Sequence, residues 1–499
     1  RQPQVIQAAP GKLAGQFIQI LGPVIEPGAG RKNRGPRLRR PGHPRLREAL
    51  AAYLKRLQAP EEVFQALERL EVGAVVTGQQ AGLLGGPALT FYKAHTALCL
   101  ADRAGAAGVF WVASQDHDVE EVRHLHLLRD EVPETLSLDL PPLPSGRIPL
   151  APHRERLRAF LGPWAKDYRL GYALEAETLS EFFARVLLAF LGERGLVPFD
   201  PMAEELAPLF LEALERELSD PLGSAEAINR EAERIRALGG KPPLRRKPGA
   251  TNLFLETDQR RLLFYEGGAF TDGVRRYTAK ELWEIARADP SRLTPAAGLR
   301  PVFPDLVLPT AGFVVGPNEL RYVAELSGVY ARYGLAMPAL FLRAFGVVVE
   351  PPVRRILEKY RLDPWAFVDE GEAAFLRAAE AWLAPFRAFR DRVEGLLQEA
   401  SRLVEEAEAL EPNLVRPLRR FRARVRGEAE RLRRKLLAAQ AARDEVLARH
   451  LRRLTVHLLP FGLPQERVYP YAMYALRHGE ALRRLAEAPW EGRVALYLG

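Results

Sequence analysis

Two short polar runs hold the side chains best suited to chemistry. The first is Thr77-Gly78-Gln79-Gln80-Ala81-Gly82, continuing through Leu83-Leu84-Gly85-Gly86-Pro87. Glycines between a strand and a helix let backbone N–H groups turn toward an anion, and the helix N-terminus adds partial positive charge. The run is neither a Walker A loop nor the GxGxxG fingerprint. A tight turn needs glycines anyway, so the adjacent amides of Gln79 and Gln80 are the more specific signal. Apolar packing does not call for them, whereas polar ligands do. Lys93, two turns into the following helix, either faces the same site or is solvated.

The second run is Ser114-Gln115-Asp116-His117-Asp118, followed by Glu121, His124 and His126. Apolar and small residues lead into Asp-His-Asp, as at a strand end. Asp116 or Asp118 would orient His117 and raise its basicity, making it a general base or an electrostatic clamp. The blander account is an Asp that caps a helix beside an exposed histidine. Asp116, His117, Asp118, Glu121, His124 and His126 are also good metal-ligand types, but their spacing matches no closed zinc signature. A metal-dependent hydrolase built on Asp116, His117, Asp118, His124 and His126 is therefore the alternative enzyme class, and a non-catalytic scaffold displaying its helices is a third.

A third region is discontinuous: Arg300-Pro301, Asp305, Leu308-Pro309-Thr310 and Gly316-Pro317-Asn318-Glu319, with Tyr322 beyond. Gly-Pro places a turn, and Asn318 or Glu319 opens a helix beside it. Arg300 and Arg343 are the candidate binders of carboxylate or phosphate, with surface salt bridges as the competing explanation. Cys99, the single cysteine, lies among small apolar residues and reads as packing; one cysteine allows no intramolecular disulfide.

These runs need elements to hold them. Leu46, Leu50, Tyr53, Leu54 and Leu57 share a helical face. Residues 71–76 read as a strand, residues 87–103 as a helix closed by Ala104-Gly105, and residues 109–113 as a second strand. That is a βαβ unit with parallel strands, and in such sheets ligands bind beyond the carboxyl ends of the strands. Helices are expected over residues 179–194 and 203–218. Residues 253–255 with 261–265 suggest a hairpin, and residues 306–309 with 313–315 a further strand pair. From Phe375 to Leu410 apolar residues recur at spacings of four and three, a heptad seam interrupted by Pro385, which should kink or loosen one turn. Glu411-Pro412-Asn413 breaks it, and Leu414, Leu418, Phe421, Val425, Leu432 and Leu436 carry a second seam. Residues 371–411 hold five basic and nine acidic residues, and residues 413–455 hold fourteen basic and four acidic. Opposite charge favours folding the two arms into an antiparallel pair.

The chain has 499 residues, which implies more than one core. Net charge is +9, and ten of the 72 basic residues are lysine. The basic residues are not interleaved with aromatics and form no zinc-finger or helix-turn-helix spacing, so small anionic substrates explain the excess better than nucleic acid. No apolar run approaches the ~18 residues of a membrane span, and the start has no secretory pattern, so a cytoplasmic protein without a membrane role is expected.

The order of these motifs resembles one family, the cysteine ligases of bacillithiol biosynthesis (BshC). The resemblance is carried by Val75–Pro87 with Thr90-Phe91-Tyr92-Lys93-Ala94, and by Val109-Phe110-Trp111-Val112-Ala113 with Asp116-His117-Asp118 and Glu121. It continues through Arg300-Pro301, Asp305, Leu308-Pro309-Thr310, Gly316-Pro317, Glu319 and Tyr322, and ends with Pro460-Phe461-Gly462 and Gln465-Glu466-Arg467-Val468. Gln115, Pro304, Asn318 and Thr294-Pro295-Ala296-Ala297 depart from the family pattern. The resemblance implies an α/β fold: a Rossmann-like, nucleotidyltransferase-like parallel-sheet core with inserted connecting segments and an antiparallel α-helical coiled-coil hairpin. The expected division is a poorly matching arm over 1–45, a core over 46–370, the hairpin over 371–455 and a returning segment over 456–499.

The implied activity is amide formation between cysteine and glucosaminyl-malate by a homodimer. Hydroxide is a poor leaving group, so ATP or another nucleotide is expected, with Mg²⁺ possible and no protein metal ligands. His117, Asp116, Asp118 and Gln80 form the expected catalytic set. Thr77, Gly78, Gln79, Gly82, Lys93, Arg300, Gly316, Asn318, Glu319, Tyr322 and Arg343 form the expected substrate- or nucleotide-binding set. The malate carboxylates would fall to Arg300 or Arg343.

Overall fold

The computed structural model describes residues 41–499. The N-terminal arm expected over residues 1–45 lies, up to residue 40, outside the described residues. The chain divides into two compact units. One contains the described residues up to Leu127, Glu134–Gly346 and Glu466–Val494, and the other contains Leu128–Pro133, Val347–Gln465 and Ala495–Gly499.

The first unit is built on five parallel strands: β1 (Ala74–Gln79), β2 (Ala107–Val112), β3 (Val197–Phe199), β4 (Thr310–Val315) and β5 (Ala339–Leu342). Their order across the sheet is β5-β4-β1-β2-β3. The chain winds outward through β2 and β3 on one side of β1 and through β4 and β5 on the other. This is the doubly wound Rossmann arrangement, and its order reverses between β1 and β4. All six residues of β2 are buried, as expected of a parallel strand covered on both faces. Helix α1 (Leu89–Ala104) joins β1 to β2 and packs on both. Gly105 ends it with φ 66°, a left-handed cap that glycine adopts without a Cβ penalty. Helix α2 (Pro317–Ala324) follows β4, with Pro317 in its first turn.

Between β3 and β4 an inserted antiparallel sheet is laid down. Its strands, in spatial order, are Leu293–Pro295, Ala250–Glu256, Arg260–Glu266, Ala269–Thr271 and Arg276–Tyr277. The expected hairpin is its centre.

Two expected strands change, and the helix expected over residues 203–218 is a 3₁₀ turn at Ala207–Phe210 followed by an α-helix only over Leu211–Ser219. The first strand does not begin at residue 71, because Arg69–Glu71 forms a 3₁₀ turn. It runs instead to Gln79, since parallel pairing continues through Gly78 with Trp111 and Gln79 with Val112. The strand expected at residues 306–309 is the end of a short helix, Phe303–Val307. Pro304 in its first turn has the φ a helix start needs. Only Thr310–Val315 is extended, and it pairs in parallel with β1 and β5 rather than in a hairpin.

The second unit is mostly helical. Glu372–Ala379, α3 (Ala384–Leu410) and α4 (Val415–Arg443) carry the heptad pattern. The seam is broken at Glu380–Trp382, a 3₁₀ turn, and Pro385 falls in the first turn of α3 rather than inside a continuous helix. The short connection Pro412–Leu414 folds α4 back along α3 as the antiparallel coiled-coil hairpin. Phe375, Phe386, Leu437, Ala441, Leu447, Leu454 and Leu458 share a core with Val347, Val353 and Phe367. Farther out, Leu396, Leu403, Leu410, Leu414, Phe421 and Leu432 are exposed. Among the described residues no helix is long and apolar enough to cross a membrane.

Candidate functional site

The carboxyl ends of β1, β2 and β4 bring the two polar runs together. Lys93 lies on α1 and is buried, not solvated. Its Nζ donates to the Gly78 carbonyl (2.9 Å), Gln79 Oε1 (3.0 Å) and Glu319 Oε1 (2.9 Å). Glu319, at the start of α2, also accepts the Gly316 N–H. This knot therefore sits at the β1/β4 reversal, where doubly wound sheets bind ligands. Burial pulls the Lys93 ammonium below the ordinary lysine value, and Glu319 opposes that pull.

Three residues of the expected binding set are occupied by structure. Thr77 Oγ1 is buried and donates to the Val314 carbonyl (3.0 Å), which ties β1 to β4. At Gly78 a Cβ would stand 2.9 Å from the Trp111 carbonyl, so the glycine permits close strand approach. The Gly82 N–H donates to the Gln80 carbonyl (2.8 Å), and a Cβ at Gly82 would meet Gly86 Cα at 2.7 Å. The Gly82 N–H is thus not directed at an anion, a correction to the anion-loop expectation. Asn318 and Tyr322 are exposed on α2.

From the knot a chain of hydrogen bonds crosses to the second run. Gln79 Nε2 donates to Gln80 Oε1 (3.0 Å), and Gln80 Nε2 to Asp116 Oδ2 (3.4 Å). Arg300 Nη1 donates to the same Asp116 oxygen (2.8 Å), while Asp116 Oδ1 accepts the Asp118 N–H (3.2 Å). The paired glutamines therefore link Lys93 and Glu319 to Asp116 and Arg300. Burial alone would raise the Asp116 carboxyl. Arg300, the Asp118 N–H, Arg260 and Gln80 together hold it below the ordinary carboxylate value. Glu121 goes the other way: burial, then Asp118 and Asp116, push it up.

The carboxylate that reaches His117 is not a sequence neighbour. His117 Nε2 lies 3.1 Å from Glu256 Oε2, and the Asp116 carboxylate is taken by Arg300 and Gln80. This corrects the expectation that Asp116 or Asp118 orients the imidazole. Glu256 ends the strand Ala250–Glu256 of the inserted sheet and is almost wholly buried. Thr294 Oγ1 donates to its Oε1 (2.7 Å) from the neighbouring strand. Its register partner across the hairpin is Arg260, whose Nε stands 3.8 Å away. Sequence reasoning missed both. The available signal was an acidic residue at a buried end of a hairpin strand, where an unpaired charge would be costly.

Asp200, just beyond β3, was also missed. It accepts from the hydroxyls of Ser114 and Ser180 and from the Met202 N–H, which fixes the start of the Ser114–Asp118 segment. Burial pushes its carboxyl up.

Arg343 is a further correction. Its two Nη atoms donate to Glu466 Oε2 (3.0 Å) and Oε1 (2.6 Å), and Nη1 also donates to the Ala344 carbonyl. Only 2% of the Arg343 side chain is exposed, so its donors are committed to Glu466 and the Ala344 carbonyl and not displayed at the surface. Arg300 alone of the expected arginine pair lies beside Asp116.

Among the described residues the metal-hydrolase alternative has no gathered ligand set. His124 Nδ1 is 2.7 Å from Ser137 Oγ and His126 Nδ1 is 2.8 Å from Thr135 Oγ1. Among the described residues no group of three or more His, Cys, Asp or Glu is placed to share a metal ion. Cys99 is part-buried near His95 and Arg194, and burial pushes its thiol up, which suits packing better than nucleophilic attack.

A Rossmann-order sheet with a polar cluster at its carboxyl edge, an inserted sheet feeding that cluster and a separate coiled-coil hairpin defines a Rossmann-like α/β protein with a helical appendage. Residues 31–344 match the family described as "Bacillithiol biosynthesis BshC, N-terminal Rossmann-like domain", and residues 346–489 match its "C-terminal coiled-coil domain". A relative from Thermus thermophilus named "Putative cysteine ligase BshC" is 99% identical over 463 residues, covering 93% of this chain and 96% of its own. Relatives of the same name from Heliobacterium modesticaldum (33% identical; 84% and 81% covered) and Salinibacter ruber (30%; 88% and 82%) are more distant. The chain belongs to the BshC family of bacillithiol biosynthesis.

Proposed function

We propose that this chain is a ligase that joins cysteine to glucosaminyl-malate through an amide bond, the last step of bacillithiol formation. The observation that supports this most is the His117–Glu256 pair standing beside the Gln80–Asp116–Arg300 chain at the carboxyl edge of the sheet. Amide formation requires the sugar amine to lose a proton as it attacks the cysteine carbonyl. His117 takes that proton, and Glu256, with a carboxylate oxygen 3.1 Å from Nε2, compensates the imidazolium that results. Asp116, fixed by Arg300 and Gln80, orients the attacking amine. Gln79 and Gln80 bind polar atoms of the substrates.

A free carboxylate must also be given a leaving group, which ATP or another nucleotide, with Mg²⁺, supplies when bound. A phosphate needs donors without acceptors. Arg300 Nε is buried and has no acceptor, so this edge fits an anionic group. The exposed leucines of the hairpin support a homodimer as the working form. Cysteine and a nucleotide as co-substrates fit a cytoplasmic setting.

The test is incubation of the chain with glucosaminyl-malate, cysteine and ATP, with mass detection of the amide and of ADP or AMP. No amide under any nucleotide would end the ligase reading. An active His117→Ala protein would end the base assignment alone.

A further inference from the structure

The loop of Arg246 and the segment of Arg300 meet through one helix: a Cβ at Gly298, two residues before Arg300, would run into the side chain of Ile228, and Asn229 beside Ile228 holds Arg246. Arg246 lies in the loop before the strand Ala250–Glu256, and its backbone is clamped on both sides by Asn229. The Arg246 N–H donates to Asn229 Oδ1 (2.9 Å), and Asn229 Nδ2 donates to the Arg246 carbonyl (3.0 Å). Its guanidinium is not so provided for, since Nε and Nη2 are buried without an acceptor. Arg260 Cζ stands over the Phe254 ring, 3.8 Å from its centroid, and Nε and Nη2 also lack an acceptor. Arg300 Nε is in the same state.

Among the described residues only Asp116 pairs closely with Arg300 (2.8 Å), and Glu256 stands 3.8 Å from Arg260 while also facing His117. The crowding has an electrostatic signature. Burial, then Arg300, lowers Arg260 to about 10, and the same two causes lower Arg246. Like charges held together with unmet donors are unfavourable unless something else supplies negative oxygen. A guanidinium fork matches the two oxygens of a carboxylate or phosphate, and a fixed Arg backbone with an uncommitted head is how such a fork is aimed.

We infer that Arg246, Arg260 and Arg300 form an anion-receiving site beside His117 and Glu256 that takes the anionic oxygens of a ligand, either substrate carboxylates or nucleotide phosphates. Arg246 and Arg260 come from the inserted sheet region, so that insertion supplies both the partner of the imidazole and the cationic wall. The inference deepens the ligase reading and rests on it for the ligand's identity.

The experiment is calorimetric binding to the full chain of glucosaminyl-malate, L-malate, ATP, inorganic phosphate and, as a control with neither carboxylate nor phosphate, glucosamine. It is run on wild type, Arg246→Gln, Arg246→Lys and Arg260→Gln, with the melting temperature of each. The expected result is at least a tenfold weaker affinity of Arg246→Gln for one anionic pair, partial retention in Arg246→Lys, and no change for glucosamine. Loss confined to glucosaminyl-malate and malate assigns the site to carboxylates, and loss confined to ATP and phosphate assigns it to phosphates. Arg260 is packed on Phe254, so if Arg260→Gln fails to fold, the loop variant Arg246→Gln carries the decision. Anion affinities within twofold of wild type in a folded Arg246→Gln protein, or no anion binding by wild type, would overturn the inference. Steady-state kinetics separates the two readings. Amide production by Arg246→Gln with unchanged KM for every substrate removes the anion site and leaves the ligase. Arginine-dependent anion binding without amide production removes the ligase and leaves the site.

Discussion

His117 Nε2 stands 3.1 Å from a carboxylate oxygen of Glu256, a residue delivered by the inserted sheet and not by the strand end that carries the imidazole. If that carboxylate balances the charge of the ring, Glu256→Gln keeps the shape and loses the function. We expect kcat for ligation to fall about 10- to 100-fold with little change in KM. The double variant with His117→Ala should be no slower than His117→Ala alone, because the two act as one unit. Wild-type turnover in Glu256→Gln would remove the pair from the mechanism.

Arg343 and Glu466 form a buried bidentate pair, so removing one partner leaves an uncompensated charge. Arg343→Met should cost about 3–5 kcal/mol in urea unfolding. Adding Glu466→Leu should recover part of that loss. A stable Arg343→Met chain with a raised KM would instead restore the substrate-binding role expected from sequence.

Lys93 satisfies a backbone carbonyl, an amide oxygen and a carboxylate from one buried nitrogen. Lys93→Met should destabilise the chain by about 1–3 kcal/mol, since Glu319 keeps partial access to water while the Gly78 carbonyl loses its Lys93 donor. Arg at this position should not rescue it, because a planar fork cannot replace three convergent donors on one atom. Equal denaturation midpoints for wild type and Lys93→Met would contradict this account.

In the helical unit His457 is buried between Glu131 (3.1 Å) and Glu350 (3.5 Å). Burial alone would lower its pKa, but the two carboxylates win and raise it above the ordinary 6.5. A raised histidine contributes stability that is fully present below the unfolded-state value and is lost as pH rises through the folded-state value. The stability gap between wild type and His457→Gln should therefore be widest below pH 6.5 and close on the alkaline side. Denaturant midpoints measured across that range check it, and a gap that widens with pH would reverse the sign.

Leu396 and Leu403 lie on exposed parts of the α3 seam. If two copies associate there, Leu396→Glu with Leu403→Glu should convert a dimer to a monomer in sedimentation equilibrium while leaving helix content unchanged. A wild-type chain that is monomeric at micromolar concentration would dispose of the homodimer.

Much of the fold was legible because its signals are local. The buried run Val109–Val112 and the glycine-closed helix before it specified a βαβ unit, and the heptad spacing specified the hairpin. The extent of β1 was not legible, since Thr77, Gly78 and Gln79 look like turn residues until β2 is found to pair with them. The partner of Arg343 was not legible for a similar reason. A lone arginine in a sequence gives no hint that Glu466 will meet it.

Connectivity alone collects Gln79, Gln80, Asp116 and His117 at the sheet edge, because strand ends and the βα turn carry them there. Their partners came from packing. Ionic and hydrogen-bond pairing depends on distance in space, and the hairpin carrying Glu256 and Arg260 meets His117 and Asp116 only once the inserted sheet has packed against the core. The same holds for α2, whose Glu319 turned Lys93 from a candidate ligand-binding cation into a buried tie across the β1/β4 reversal.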